Sequence, residues 1–500
     1  MKGVKIFDHN LFDFFNDDEP FLLAENLEGE IYREYGKRTT KNFQFAQKSY
    51  FLKFHGPIGW FEIFKNLLQF KVPVVGALRE FEALSHLKKH KIDSLEVQGF
   101  GNKGLNPANS FSFLITEELY GTISLEDFFL QDRHKELLPT QRRKLIKHVA
   151  KLIRKMHLSG LNHRDLYLCH LHIKEDVDFN DIKVYLIDLH RAQIRSYVPE
   201  RWLVKDLGGF FHSILQFGLS EKDFYRFMTT YFECSLSELL QNRSKLIKKI
   251  LNRCFSMYMK PRLKEFSFNS RDIPKESPYI KRVDKTCRWI ANKDYDLEKF
   301  IGIINDESLL LKNGELIKNE EGHLIVKLKI NDRYFYIKKY RIKSFFHAFS
   351  RLLKETRAFN SWSALHWINM IGINTPKPIL CYESNGFLGA RTSFLITEEI
   401  NGERLDRALE NNINQDFVVA KIQSFFKRMQ WIRFSHGDTK TSNFFISQKK
   451  LTVFDLDSAK RNFLSFYFRK AILRDKMRFL RSIENFDTLQ SKLYSRLLKN

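Results

Sequence analysis

Two aspartates, Asp165 and Asp438, each stand two residues after a histidine, in His163-Arg164-Asp165 and His436-Gly437-Asp438. Five residues beyond each lies a side chain able to bind a cation, His170 in one case and Asn443 in the other. A further aspartate ends a short apolar run: Asp188 follows VYLI and Asp455 follows LTVF. Upstream, a lysine sits in an apolar, strand-like stretch, Lys53 in YFLK and Lys338 in YFYIKKY. This set suits phosphoryl transfer, which asks a protein mainly to position phosphates and neutralise their charge. A strand lysine reaches the phosphates and a helix glutamate holds it; one aspartate accepts the proton of the attacking hydroxyl; another carboxylate and one more ligand hold magnesium. Magnesium keeps several of its waters, so few protein groups are needed. The expected roles follow. Asp165 and Asp438 are the bases, and Lys53, Glu80 and Lys338 serve the phosphates of ATP. His170, Asp188, Asn443 and Asp455 serve Mg2+. Glu118 and Glu399, which close a repeated heptapeptide, complete the expected nucleotide contacts.

Taken singly these motifs are weak, because such triplets arise by chance in a highly charged chain. Their recurrence in order is not weak. SFLITEE occurs at 112–118 and again at 393–399. The spacings between equivalent residues are 338 − 53 = 285, 393 − 112 = 281, 438 − 165 = 273 and 455 − 188 = 267. They drift slowly, as in two homologous units with small loop differences. The match to protein kinases is incomplete: Asp188 is followed by Leu-His instead of Phe-Gly, His170 replaces the usual asparagine, and no Ala-Pro-Glu segment is present. In the second unit Ser361 aligns with Glu80, and the nearest preceding acid is Glu355, so Lys338 lacks its expected partner. A glycine-rich phosphate loop is absent. The basic turn 36–39 (GKRT) is the remaining candidate to cover the phosphates.

The elements that must position these groups repeat too. Alternating segments at 48–54, 324–330 and 334–339 read as strands, 76–89 and 353–368 as helices, and the SFLITEE segments as further strands. Helical periodicity resumes at 141–158 and 417–431. The expected architecture is α+β: two tandem kinase-like domains, each a small β-rich lobe followed by a mainly helical lobe. A stretch rich in serine, asparagine and proline, 267–281, puts the boundary near 285, giving domains of 1–285 and 286–500. Five hundred residues suit two cores. The five cysteines are scattered and never in CxxC spacing, which argues against a disulfide framework or a zinc site. No apolar run approaches the roughly 20 residues of a membrane span, and the first residues lack a secretory pattern, so a cytoplasmic protein is expected. The net charge of +24 calls for an anionic partner. No nucleic-acid recognition motif is present, so nucleic acid is not the expected one.

The first unit resembles the lipopolysaccharide core heptose(I) kinases of Gram-negative bacteria. The resemblance rests on GKRT (36–39), SYFLKFH (49–55), GWFEIFKNLLQFKVPVVGA (59–77), FGNKGLNP (100–107), FLITEEL (113–119), TISLEDF (122–128), NHRDLYLCHL (162–171), IDLHRAQ (187–193) and RWLVKDLGGF (201–210). It covers residues 25–265, and His170 with the Asp188-Leu189-His190-Arg191 run are that family's own variations. The resemblance implies an ATP-dependent kinase that phosphorylates the first heptose of a lipid A-bearing acceptor, peripherally at the cytoplasmic face of the inner membrane. It makes Asp165 the base, Lys53 the phosphate contact and Asp188 a magnesium ligand. The second unit is similar, more loosely, to the wider lipopolysaccharide kinase family, which includes Kdo kinases. HGDTKTSN (436–443) and VFDLDS (453–458) are shared widely among sugar kinases, so its acceptor stays open, as does the alternative of a non-catalytic scaffold. The implied partners are the lipid A-core acceptor, an anionic membrane surface and an acidic protein. GWFEIFKNLLQFK (59–71) reads first as a packed helix and second as an acyl-chain contact; the basic, aromatic segment 460–481 divides evenly between membrane contact and helix core.

Overall fold

The computed structural model describes residues 3–15, 19–68, 76–104, 106, 108–218, 220–268, 277–341, 355–384, 392–447, 450–462 and 464–498. The chain, of mixed helix and sheet, divides into two compact units, Met1–Tyr258 and Met259–Asn500. The sequence-based boundary near 285 falls later than that division. Strand Tyr279–Val283 pairs with Cys287–Asn292, which pairs in turn with Pro378–Ser384 deep in the second unit. A cut at 285 would fall in the turn of that hairpin. Much of the polar stretch 267–281, on which that boundary rested, lies outside the described residues.

The first unit opens on a six-stranded antiparallel sheet. Its order is Val4–Ile6, Val97–Lys103, Phe111–Glu117, Lys48–His55, Arg38–Phe45 and Glu30–Tyr35. Strand Lys48–His55 shows why this sheet can carry a charge inward. Side chains alternate between faces, so Tyr50, Leu52 and Phe54 enter a core with Leu11, Phe15, Phe113 and Ile115. Lys53 points to the other face, toward helix Leu78–Lys89. The later part is mainly helical. Helix Pro139–Leu158 starts with proline at its first position and buries Leu145, Val149, Ala150, Ile153 and Met156 along one stripe. Helix Glu200–Ile214 packs into the same core through Leu207, Phe210 and Phe211.

The second unit has a seven-stranded sheet. Its run Pro378–Ser384, Ser393–Glu398, Arg333–Tyr340, His323–Ile330, Glu315–Glu320 repeats the order of the first unit's last five strands. The register repeats as well: Lys53 pairs with Leu114 and Lys338 with Leu395. Leu324, Val326, Leu328 and Ile330 alternate into a core with Phe335 and Ile337, leaving Lys338 and Tyr340 on the opposite face. Helices Arg357–Met370, Gln415–Ile432, Ser465–Arg481 and Asp487–Leu498 follow. The expected helix 353–368 begins at Arg357, and its first two positions lie outside the described residues.

One packing expectation is overturned. In helix Gly59–Leu68 Ile63 is buried, while Trp60 is 50%, Phe61 83%, Phe64 56% and Leu68 82% exposed. The rest of that predicted segment, 69–71, lies outside the described residues. Helix Ser465–Arg481 buries Phe468, Ile472, Phe479 and Leu480 as helix core, while Phe466 and Tyr467 face outward. Among the described residues no helix is long and apolar enough to cross a membrane.

Candidate functional site

In the first unit Lys53 Nζ lies 2.6 Å from Glu80 Oε1 and 3.5 Å from Asp188 Oδ1. His190 Nδ1 donates to Asp188 Oδ1 at 2.7 Å. His170 joins the two aspartates: its Nδ1 donates to the Asp165 carbonyl oxygen at 2.7 Å, and its Nε2 stands 3.4 Å from Asp188 Oδ2. Because a carbonyl can only accept, Nδ1 carries a proton, and Nε2 is turned toward a carboxylate. That gap between a ring nitrogen and a carboxylate oxygen fits a proton or a cation. Asp165 itself receives Arg191 Nη1 at 2.8 and 3.1 Å.

The loop that carries Asp165 is tied down by backbone bonds. Asp206, on helix Glu200–Ile214, accepts the amides of His163 at 2.7 Å and Arg164 at 2.8 Å. His163 Nε2 donates to the carbonyl of Ile187, the residue before Asp188. Arg164 at φ +73° and Asp188 at φ +58° adopt left-handed backbone, which non-glycine residues enter only where their surroundings force it.

The second unit rebuilds this frame. Asp475 accepts the amides of His436 at 2.7 Å and Gly437 at 2.9 Å, and His436 Nε2 donates to the carbonyl of Phe454. Gly437 at φ +86° occupies the place of Arg164, and Asp455 at φ +56° that of Asp188. Asn443 Nδ2 donates to Asp438 twice, to the carbonyl oxygen at 2.8 Å and to Oδ2 at 3.1 Å. With its nitrogen engaged, the amide oxygen is what remains to offer a hard cation. Arg478 Nη2 reaches Asp438 Oδ1 at 2.5 Å. Lys338 Nζ is 2.7 Å from both Asp455 Oδ1 and Asp457 Oδ2. Glu355 pairs elsewhere, with Arg288. Beside this loop opens a cavity of about 660 Å3 lined by Gly437, Lys460, Tyr467, Arg474, Arg478 and Arg481.

Electrostatics favour the charged forms of Lys53, Asp188, Lys338 and Asp455. Burial opposes ionisation of Asp188, but the bond from His190 and the charge of Lys53 outweigh it and hold the carboxyl well below its usual range. Burial would likewise lower Lys53, but Glu80 and Asp188 hold its ammonium above the ordinary lysine value. Lys338 is raised in the same way, against burial, by Asp457 and Asp455. Asp455 is lowered despite burial, chiefly by Lys338.

Of the residues expected from sequence, Lys53, Glu80, Asp165, His170 and Asp188 converge in the first unit, and Lys338, Asp438, Asn443 and Asp455 in the second. Glu118 and Glu399 do not join the lysine clusters: Asn42 Nδ2 donates to Glu118, and Glu399 pairs with Lys327 at 2.6 Å. Of the basic GKRT stretch, Gly36 and Lys37 form the turn between strands Glu30–Tyr35 and Arg38–Phe45, with Gly36 at φ +60°, and Arg38 and Thr39 begin the second strand. Sequence reasoning missed Asp206 and Asp475, Arg191 and Arg478, and Asp457. The spacing 475 − 206 = 269 falls within the drift of the repeat and would have paired the first two.

The Lipopolysaccharide kinase (Kdo/WaaP) family matches residues 24–231 and, a second time, residues 314–497. The chain belongs to that family. Relatives include the lipopolysaccharide core heptose(I) kinase WaaP of Escherichia coli, 42% identical over 233 residues, covering 46% of this chain and 88% of the relative. The heptose(I) kinase WaaP of Pseudomonas aeruginosa is 39% identical over 245 residues, covering 49% and 91%. A solved structure described as WaaP in complex with acyl carrier protein is 32% identical, covers 51% of this chain and 99% of that one, and gives a TM-score of 0.45. As a member of this family, the protein is an ATP-dependent sugar kinase.

Proposed function

We propose that the two units are tandem kinase-like domains: the first phosphorylates the first heptose of the lipopolysaccharide inner core, and the second a further core sugar. The observation that carries this reading is the pair of matching constellations, each joining a half-buried strand lysine, a metal-type aspartate and a second aspartate held by an arginine. Asp165 takes the proton of the sugar hydroxyl as its oxygen attacks the γ-phosphorus of ATP; the bond to the β,γ-bridging oxygen breaks, and ADP leaves. Lys53, steadied by Glu80, holds the phosphates. Asp188 with His170 would hold magnesium in the first unit, and Asp455 with the Asn443 amide oxygen in the second. Magnesium, when bound, neutralises charge on the phosphates. The oxygen donors of the second unit suit so hard a cation better than the imidazole of the first.

The heptose assignment draws on the relatives, whose names state that activity. The assignment of a core sugar to the second unit draws on the cavity beside Asp438, whose lining holds Lys460, Arg474, Arg478 and Arg481. Recruitment to an anionic membrane draws on the net charge of +24 and the exposed aromatic face of helix Gly59–Leu68. Each basic residue near such a surface contributes about 1 kcal/mol. An acidic protein partner is compatible with the same charge.

The test uses purified lipid A-core acceptor, ATP and mass spectrometry. Asp165→Asn is expected to abolish the heptose phosphate and Asp438→Asn a different phosphate, each by at least ~100-fold, within the range for loss of a general base. If Asp165→Asn keeps the heptose phosphate, the first assignment is wrong. If Asp438→Asn changes no product, the second domain is a scaffold.

A further inference from the structure

Lys338 was expected to lack a partner, because Ser361 stands where the first unit has Glu80. In the structure it has one. Asp457, two residues past Asp455, approaches Lys338 Nζ at 2.7 Å through Oδ2. Its other oxygen, Oδ1, accepts from Tyr340 Oη at 2.7 Å and from Ser361 Oγ at 2.7 Å, and Arg357 stands 3.7 Å from Oδ2. Both carboxylate oxygens are therefore engaged, and the side chain is only 12% exposed. A group so occupied is a fixed support for the lysine, not a free cation ligand.

The three positions around this carboxylate change together between the units. Tyr340 corresponds to His55 (340 − 55 = 285), Ser361 to Glu80 (361 − 80 = 281) and Asp457 to His190 (457 − 190 = 267). These are the offsets of the lysines, of the repeated heptapeptide and of Asp188 with Asp455. In the first unit the helix supplies the acid and the loop supplies a base: Glu80 holds Lys53, and His190 donates to Asp188. In the second the loop supplies the acid, and strand and helix supply hydroxyl donors. A glutamate at 361 beside Asp457 would bury a third carboxylate against one lysine, and a histidine at 457 would leave that lysine with Asp455 alone. The exchange conserves the charge around the lysine while moving its source.

We infer that Asp457 is the lysine-positioning residue of the second unit, taking from the loop the part that Glu80 plays from the helix, so that the second unit retains a nucleotide-competent lysine. This rests on reading the second unit as a kinase site. It adds that nucleotide binding there depends on a loop carboxylate and not on the helix. The loop from Asp455 to Asp457 then carries both the metal-type aspartate and the lysine's support.

The test measures binding of a fluorescent ATP analogue to the full chain in a Lys53→Met, Asp188→Asn background, which silences the first site. Asp457→Asn is expected to weaken the remaining site at least ~10-fold, and Tyr340→Phe, which keeps every charge, by a smaller factor. Asp457→Asn with Ser361→Glu is expected to recover most of the affinity, a rescue that a merely structural role would not give. In otherwise wild-type protein, Asp457→Asn should raise KM for ATP at the second site while leaving KM for the acceptor unchanged. The inference is overturned if the background protein binds no nucleotide at all, if Asp457→Asn binds as well as its parent, or if Ser361→Glu restores nothing in a double variant whose melting matches wild type. If Asp457→Asn weakens binding but no product depends on Asp438, the inference stands and catalysis by the second unit falls instead.

Discussion

At the residue scale, the two aspartate loops solve one backbone problem with different side chains. The middle residue of each must turn its amide to an aspartate on a helix, and that demands left-handed backbone: φ +73° at Arg164 and +86° at Gly437. Glycine adopts this conformation freely, and arginine pays a small strain that the bonds to Asp206 offset. Gly437 also has no room for a side chain. A Cβ there would sit 2.8 Å from both the Cβ and the carbonyl oxygen of Ser458. Gly437→Ala is therefore expected to cost about 1–3 kcal/mol and to remove the phosphate that depends on Asp438, while the product of Asp165 persists. Calorimetry with product analysis checks this; an alanine variant that melts and phosphorylates like wild type would show that the loop has slack. The residues legible in the sequence were those with fixed spacing along the chain. Arg191 and Arg478 were not legible as a pair because they reach equivalent aspartates from different segments, a loop in one unit and a helix in the other. Asp457 was hidden for the same reason: its partner is 119 residues away (457 − 338), and only the folded sheet brings them together.

At the element scale, strands with strict alternation were readable to within a residue or so, since burying one face of a strand fixes every second side chain. Expected strands 334–339 and 324–330 became Arg333–Tyr340 and His323–Ile330. Hairpin Tyr279–Asn292 was not readable. What makes it part of the second unit is its pairing with Pro378–Ser384, some ninety residues onward, and nothing local announces that. Helix Gly59–Leu68 misled for a different reason. Its apolar residues satisfy a packing pattern, yet Ile63 is buried while Phe61 and Phe64 face solvent. An amphipathic helix with aromatic groups on its open face and lysine nearby suits an interfacial position. Phe61→Glu combined with Phe64→Glu is expected to leave the melting temperature within about 2 °C, since both side chains are exposed. The same double variant should lower co-sedimentation with anionic phospholipid vesicles at least ~10-fold, because burying each phenylalanine contributes about 1.5–3 kcal/mol. Unchanged vesicle binding would assign recruitment to charge alone.

At the scale of the whole molecule, a chain of net charge +24 is least tolerant of further protonation. Each unit also buries a neutral histidine that resists it. Burial, with the charges of Arg38 and Lys53, pushes His55 down to about 3. Burial alone does the same to His366, which stacks on Phe266 at 3.8 Å and whose Nε2 has no hydrogen-bond partner among the described residues. A histidine whose folded value is depressed contributes stability that is complete above its unfolded value of 6.5 and is lost as pH falls toward the folded value. For His366 the loss approaches an order of 5 kcal/mol at the acid end. Asp188 acts in the same direction but lower down, because its carboxyl stays ionised well below the usual range. Denaturant unfolding is therefore expected to show a midpoint that is flat near neutrality and falls steadily below about pH 6.5. His366→Phe keeps the ring stack, removes the group that must charge, and should flatten that fall for the second unit while changing the neutral-pH midpoint little. Added salt should relieve only the part due to overall repulsion, since a desolvated imidazole is poorly screened. If His366→Phe loses stability with acid as steeply as wild type, with and without salt, then general charge repulsion and not the buried imidazole sets the acid limit of this protein.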